Sequence, residues 1–139
     1  MIAIIRISGQ VKIRKEIGET LSRLRMRKKY VCVLIDEKDK IKMGMLNKVK
    51  DYVAFGEIEK GMLTRLIEKR GKRIDKKEIK EPEKIAEKTL NNKKLPAELK
   101  PFFRLHSPRK GLKSSKKQFP RGVLGNHKQE INKLIERML

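Results

Sequence analysis

Ile2, Ala3, Ile4, Ile5, Arg6 and Ile7 form a short β-branched run bounded by Ser8 and Gly9, which predicts a buried strand. Ile13, Ile17, Leu21 and Leu24 then recur at helical spacing with Lys15, Glu16, Glu19 and Arg23 between them, the pattern of an amphipathic helix. Tyr30 to Ile35 is a second apolar, β-rich run closed by Asp36, Glu37 and Asp39. Met45, Leu46 and Val49 predict a short second helix, and Val53 and Phe55, alternating with Ala54 and Gly56, a third strand. The order is β-α-β-α-β. Each element has one apolar side to bury, so a three-stranded sheet with both helices on one face is expected. The other face is then expected to stand free for a partner.

Beyond this unit, Leu63, Leu66 and Ile67 mark a third helix over Glu59 to Arg70, stopped at Gly71 as a C-cap. Pro82 opens a weaker helix through Ile85 and Leu90, ended by Asn91 and Asn92. Leu95 to Pro101 reads as a connector and Phe102 to Leu105 as one short strand. His106 to Gly125 holds Pro108, Gly111, Pro120, Gly122 and Gly125, so an extended loop is expected there. Ile131, Leu134, Ile135 and Met138 form the stripe of a last helix, with Asn126 as its cap and Gln129 three residues on. That helix is expected to dock on the core and pin the loop at both ends. The chain divides into a core at 1–58, a helical extension at 59–98, and a basic loop with its C-terminal helix at 99–139.

Charge changes this picture most. The 38 Lys and Arg against 17 Asp and Glu leave a net +21, a self-repulsion that calls for a polyanionic partner. Its distribution is uneven: from Leu99 to Gln129 there are nine Lys or Arg and no acid, so that stretch is expected to order only against its partner. No run approaches the ~20 apolar residues of a membrane span, and no leader pattern opens the chain, so a cytoplasmic protein without a membrane partner is expected. Cys32 is the one cysteine and lies within an apolar run, which makes it a small buried hydrophobe.

Candidate catalytic chemistry is thin. His106 and His127 are the only histidines, and no Ser or Cys stands in a nucleophile-elbow context. A structural zinc site needs about four Cys or His ligands and the chain has three, so no metal and no cofactor is expected. The run Gly122 to Gly125 lacks the length and ending of a phosphate-binding loop. Aromatics at 4% are too few for the paired stacking residues of an RNA-recognition motif. Backbone-phosphate binding by clustered cations remains. The candidates are Lys12, Arg14, Arg25, Arg27, Lys28, Lys42 and Lys48 in the first unit, and Arg70, Lys72 and Arg73 after the third helix. In the C-terminal segment they are Arg104, His106, Arg109, Lys110, Lys113, Lys116, Lys117, Arg121, His127 and Lys128. Cations at helix C-termini also answer the helix dipole, which accounts for part of the clusters at 25–29 and 70–73. The acid-free loop has no such explanation.

Several stretches carry a resemblance. Ile4 to Gly9, Lys42 to Val49, Phe55 to Ile58, Leu63 to Gly71, Phe103 to Gly111 and Gly122 to His127 resemble the large-subunit ribosomal protein family numbered thirty in bacteria and seven in eukaryotes, in its archaeal form. The two glycine-bearing C-terminal stretches are the more specific, because bacterial members stop near the equivalent of Ile58. The resemblance implies an α+β fold with a ferredoxin-like core seated on large-subunit ribosomal RNA, the added segments reaching into neighbouring RNA and ribosomal proteins. It implies a structural protein of the ribosome, with no enzymatic activity and no small-molecule substrate. Two other readings stay open on the residues: a free RNA- or DNA-binding protein such as a chromatin component or RNA chaperone, and an enzyme on the same scaffold.

Overall fold

The computed structural model describes residues 1–112, 114 and 116–139. β1 (Ile2–Arg6) lies at the centre of the sheet, flanked antiparallel by β2 (Val31–Ile35) and β3 (Val53–Glu57), with Ile5 opposite both Cys32 and Ala54. β4 (Phe103–Arg104) adds antiparallel to β2, and β5 (Gly125–Asn126) adds parallel to β3. The order is β4-β2-β1-β3-β5. The β-α-β-α-β core is as expected, and both edges are extended by two-residue strands.

α1 (Lys15–Arg23) and α2 (Lys40–Val49) link the first three strands. α2 starts at Asp39, whose carboxylate accepts from the amides of Ile41 at 3.1 Å and Lys42 at 3.2 Å, so this residue begins a helix as well as ending β2. α1 closes with Met26 N–H donating to the Leu21 carbonyl and Arg25 N–H to that of Ser22, while Arg25 takes φ 66. That is a Schellman motif with arginine in the left-handed position where glycine is usual.

Strand alternation sends side chains to two separate cores. Ile2, Ile4, Val31, Val33, Ile35 and Val53 pack with Leu21, Leu24, Met26, Leu46 and Val49 under α1 and α2. Ala3, Ile5, Ile7, Cys32, Leu34 and Ala54 face the opposite way, against α3 (Lys60–Arg70) and α5 (Ile131–Met138). α4 (Pro82–Asn92) packs on α3. The second sheet face is therefore covered, not open to a partner: the third and last helices each carry an apolar stripe that needs burial, and that face is where it is met. Burial pushes the Cys32 thiol up to about 12, which keeps it protonated and unreactive at neutral pH.

α5 reaches its place through two residues. A Cβ on Gly56 would overlap the Lys128 carbonyl and come within 2.9 Å of Ile131, so only glycine lets the α5 entry lie flat on β3. Asn132, 7% exposed, then clamps the β3-to-α3 junction: its Oδ1 accepts from Glu59 N–H at 2.9 Å and its Nδ2 donates to the Glu57 carbonyl at 3.1 Å. Asn126 belongs to β5, and its side chain accepts from Lys128 N–H at 2.9 Å, leading into a 3₁₀ turn at Lys128–Glu130 before α5. At the other end of α3, Gly71 is extended with ψ 138, not left-handed. A Cβ there would overlap the Ile67 carbonyl and come within 2.7 Å of Ile79, so close approach explains this glycine.

Gly56→Ala is expected to destabilise the fold by about 1–3 kcal/mol in urea unfolding, because overpacking at a backbone contact cannot relax cheaply. Gly44→Ala, mid-α2 with open space at its Cβ, is expected to stabilise by about 0.5–1 kcal/mol.

Candidate nucleic-acid interface

The registers place five chain segments at one end of the sheet. Arg6 lies opposite Val53, Val31 opposite Arg104, and Ala54 opposite Gly125. The end of β1, the starts of β2, β3 and β5, and the end of β4 therefore coincide. The segments leaving there carry Lys12 and Arg14; Arg27, Lys28 and Lys29; Lys50; Arg104 and His106; and Lys116, Lys117 and Arg121, all exposed. Asp51 also stands among them, where Gln118 Nε2 donates to it at 3.2 Å, and Glu16 follows Arg14 in the first turn of α1. The opposite end carries Asp36, Glu37, Asp39, Glu57, Glu59 and Glu130 among its lysines. The sheet thus has a basic end and a mixed end.

Arg6 builds the basic end from inside. It is 4% exposed, and its guanidinium donates to the carbonyls of Met26 at 2.7 Å, Ser8 at 2.9 Å and Gly9 at 3.2 Å. Gln10 adds a bond to the Arg27 carbonyl at 2.7 Å, so the two basic loops after β1 and before β2 are tied into one surface. Burial lowers the Arg6 pKa, and its three carbonyl acceptors leave the charge solvated by backbone dipoles. The sequence reading passed over Arg6; the signal was an arginine inside an apolar β-branched run.

The C-terminal segment is irregular, as its prolines and glycines dictate, and it is folded back on itself. Phe119 N–H donates to the Leu124 carbonyl, Leu124 N–H to that of Lys117, and Gly122 N–H to that of Gln118. Val123 and Leu124 are buried in the α5 core, and the segment is held at α5's end by His106 N–H on the Met138 carbonyl and Arg109 N–H on that of Arg137. So the segment carries an internal scaffold of its own, which the expectation of order only against a partner did not include.

The candidates fall into three groups. Lys12, Arg14, Arg27, Lys28, Lys48, Arg104, His106, Arg109, Lys110, Lys116, Lys117, Arg121 and Lys128 are exposed, most of them at the basic end or along the C-terminal segment. Arg25 and Lys42 are exposed but line a separate groove at the β2 edge. Arg70, Lys72 and Arg73 lie beyond α3: Lys72 is exposed, Arg70 is half-buried, and Arg73 is committed to Asp75 at 3.0 Å and Glu98 at 3.5 Å. Lys113 lies outside the described residues. His127 is a correction. It is 6% exposed, its Nε2 meets the Val123 carbonyl, and its ring lies 4.4 Å from that of Phe119, so it holds the C-terminal segment together instead of facing outward.

Known proteins bear directly on this geometry. The family model for ribosomal protein L30p/L7e matches residues 2–53. The large ribosomal subunit protein uL30 of Archaeoglobus fulgidus is 41% identical, over 99% of this chain and 99% of its own length. Those of Methanocella arvoryzae and Methanococcus vannielii are 40% and 39% identical, each over 99% of this chain. The chain belongs to the ribosomal protein L30p/L7e family. The model's match stops within β3, whereas the similarity to these archaeal members of the family runs through α3, α4 and the C-terminal segment as well.

Burial holds the His127 pKa below its ordinary value of about 6.5, so the folded state keeps the ring neutral where an unfolded chain would protonate it. Its contribution to stability is thus intact above about pH 6.5 and declines as the pH falls through the ordinary histidine range. Amide exchange at Val123 to Gly125 is expected to be constant from pH 8 to 7, once corrected for intrinsic rates, and to accelerate on going to pH 5. His127→Gln is expected to remove that acceleration.

Proposed function

We propose that the chain is a non-catalytic structural constituent of the large ribosomal subunit in the cytoplasm, and that the basic end of its sheet lies against ribosomal RNA. One observation carries this reading: loops from five strand ends converge on a surface rich in exposed Lys and Arg, where Asp51 is held by Gln118. Phosphates packed closely in folded RNA are the anion density that such a surface matches, and binding gains from the counterions they release. Membership of a ribosomal protein family and the large-subunit name of the relatives support the setting.

The labour divides along the chain. Residues 1–58 form the RNA-binding core, 59–98 a helical extension, and 99–139 a basic loop whose last helix docks on the core. Rigidity is what the core supplies: Arg6 fixes two basic loops relative to the sheet, and the α5 docking fixes the third. Few aromatics means little base stacking, so contacts are made to phosphate and sugar and position the protein on a folded RNA instead of reading a sequence. Arg104, Arg109 and Arg121 can each fork onto a phosphate. Neighbouring ribosomal proteins are the second class of partner.

Changing Arg104, Arg109 and Lys110 together to alanine tests this. Filter binding to large-subunit ribosomal RNA across a salt series is expected to show weaker affinity and a log-log salt slope flatter by roughly 2–3, about one per cation removed, with an unchanged circular dichroism spectrum. An unaltered slope would remove these residues from the interface.

A further inference from the structure

β2 is covered by β4 along only half its outer edge. Val31 and Cys32 pair with Arg104 and Phe103, and by the two-residue alternation the next edge-facing residue is Leu34, opposite Pro101. Proline has no N–H to give, so the ladder stops there, and among the described residues no backbone bond is made to the outer edge of Val33 to Ile35. The N–H and C=O of Leu34 are thus left free on this edge, since those of Val33 and Ile35 face β1, and free edge groups are a template for another chain.

That stretch borders a groove of about 770 Å³ between the end of α1, the start of α2 and the 92–101 connector. Its floor is apolar, with Val33, Leu34, Ile35 and Leu99, and Ile74 stands at its side 62% exposed, an unusual position for a large aliphatic residue. Of the cations along it, Arg23 pairs with Glu19 at 3.9 Å and the Met1 amine with Glu37 at 3.4 Å, whereas Arg25, Lys42, Lys93 and Lys94 make no salt bridge among the described residues. Arg25 and Lys93 hold left-handed conformations at φ 66 and φ 55, where glycine or asparagine would sit at lower backbone cost. The acids present are engaged locally: Asp36 accepts from Lys38 N–H and Asp39 caps α2.

We propose that this groove receives an extended acidic segment of a second protein as an added strand on β2. The backbone edge gives the pairing, the apolar floor takes alternate side chains, and the free cations take the carboxylates between them, which is the logic of β-augmentation. RNA is the poorer occupant. Its free cations would attract phosphate too, but no aromatic lines the groove to stack a base, and the apolar floor gives a phosphate backbone nothing to bury. The surface is separate from the basic end, so the site stands or falls independently of the RNA contacts there.

The probe is a capped hexapeptide of alternating valine and glutamate, titrated into the isotope-labelled full chain and followed by amide chemical shifts. Saturable shifts are expected at Leu34, Ile35 and Ile74. Affinity is expected to fall at least tenfold when alternate peptide amides are N-methylated, and at least tenfold for the double variant Arg25→Glu, Lys93→Glu. Both changes leave the core clusters untouched, and circular dichroism confirms that the variant is folded. Absence of shifts, or equal binding by the N-methylated peptide or by an alternating valine and lysine peptide, overturns the proposal. Displacement of the acidic peptide by a hexauridylate that itself shifts the same amides would assign the groove to RNA instead.

Discussion

With no Cβ on Gly56, the chain entering α5 rests directly on β3, and Asn132 bonds the helix to the junction between β3 and α3. Much of the C-terminal half depends on that contact. It buries Ile131, Leu134, Ile135 and Met138 over the sheet face that α1 and α2 leave bare, and it sets where the chain beyond β4 must return. The end of α5 in turn holds the backbone of His106 and Arg109, so the start of the basic segment is fixed by the same helix that ends it. An apolar contact at the mixed end of the sheet thereby determines where cations stand at the other.

Electrostatics explains why this arrangement is needed. A net +21 on 139 residues disfavours compaction, and the chain answers by keeping its cations outside two dry cores and concentrating them at loop ends. Arg6 is the one cation within the buried β1, and its charge is solvated by carbonyl dipoles, with no carboxylate partner among the described residues. Its three bonds join loops that would otherwise repel each other. Internal ion pairs are spent mostly on the helical extension, where Lys60 meets Glu87, Arg65 meets Glu136 and Arg73 meets Asp75 and Glu98. The basic end has little such compensation, which leaves its charge for a partner.

Periodicity showed the core elements plainly, because each β-branched run and each helical stripe is short and well bounded. What it concealed was pairing over distance. β5 is two residues long and exists because β3 offers an edge, so nothing local marks Gly125 and Asn126 as strand. The covered second face was legible in retrospect: Ile2 to Ile5 is apolar at every position, and a strand open on one side would alternate. At the candidate interface, charge counting found the basic segments but could not show that His127 turns inward against Phe119, or that Arg73 is paired within its own extension. Arg6 was missed because its role is set by carbonyls from two loops that only the fold brings together.

The most direct test of the account is whether the chain travels with the large subunit. Cell extract is sedimented through a sucrose gradient at low magnesium, which parts the subunits, and each fraction is probed for this chain. The account predicts co-migration with the dissociated large subunit that survives a moderate salt wash. Recovery only at the top of the gradient, or with DNA, would contradict it.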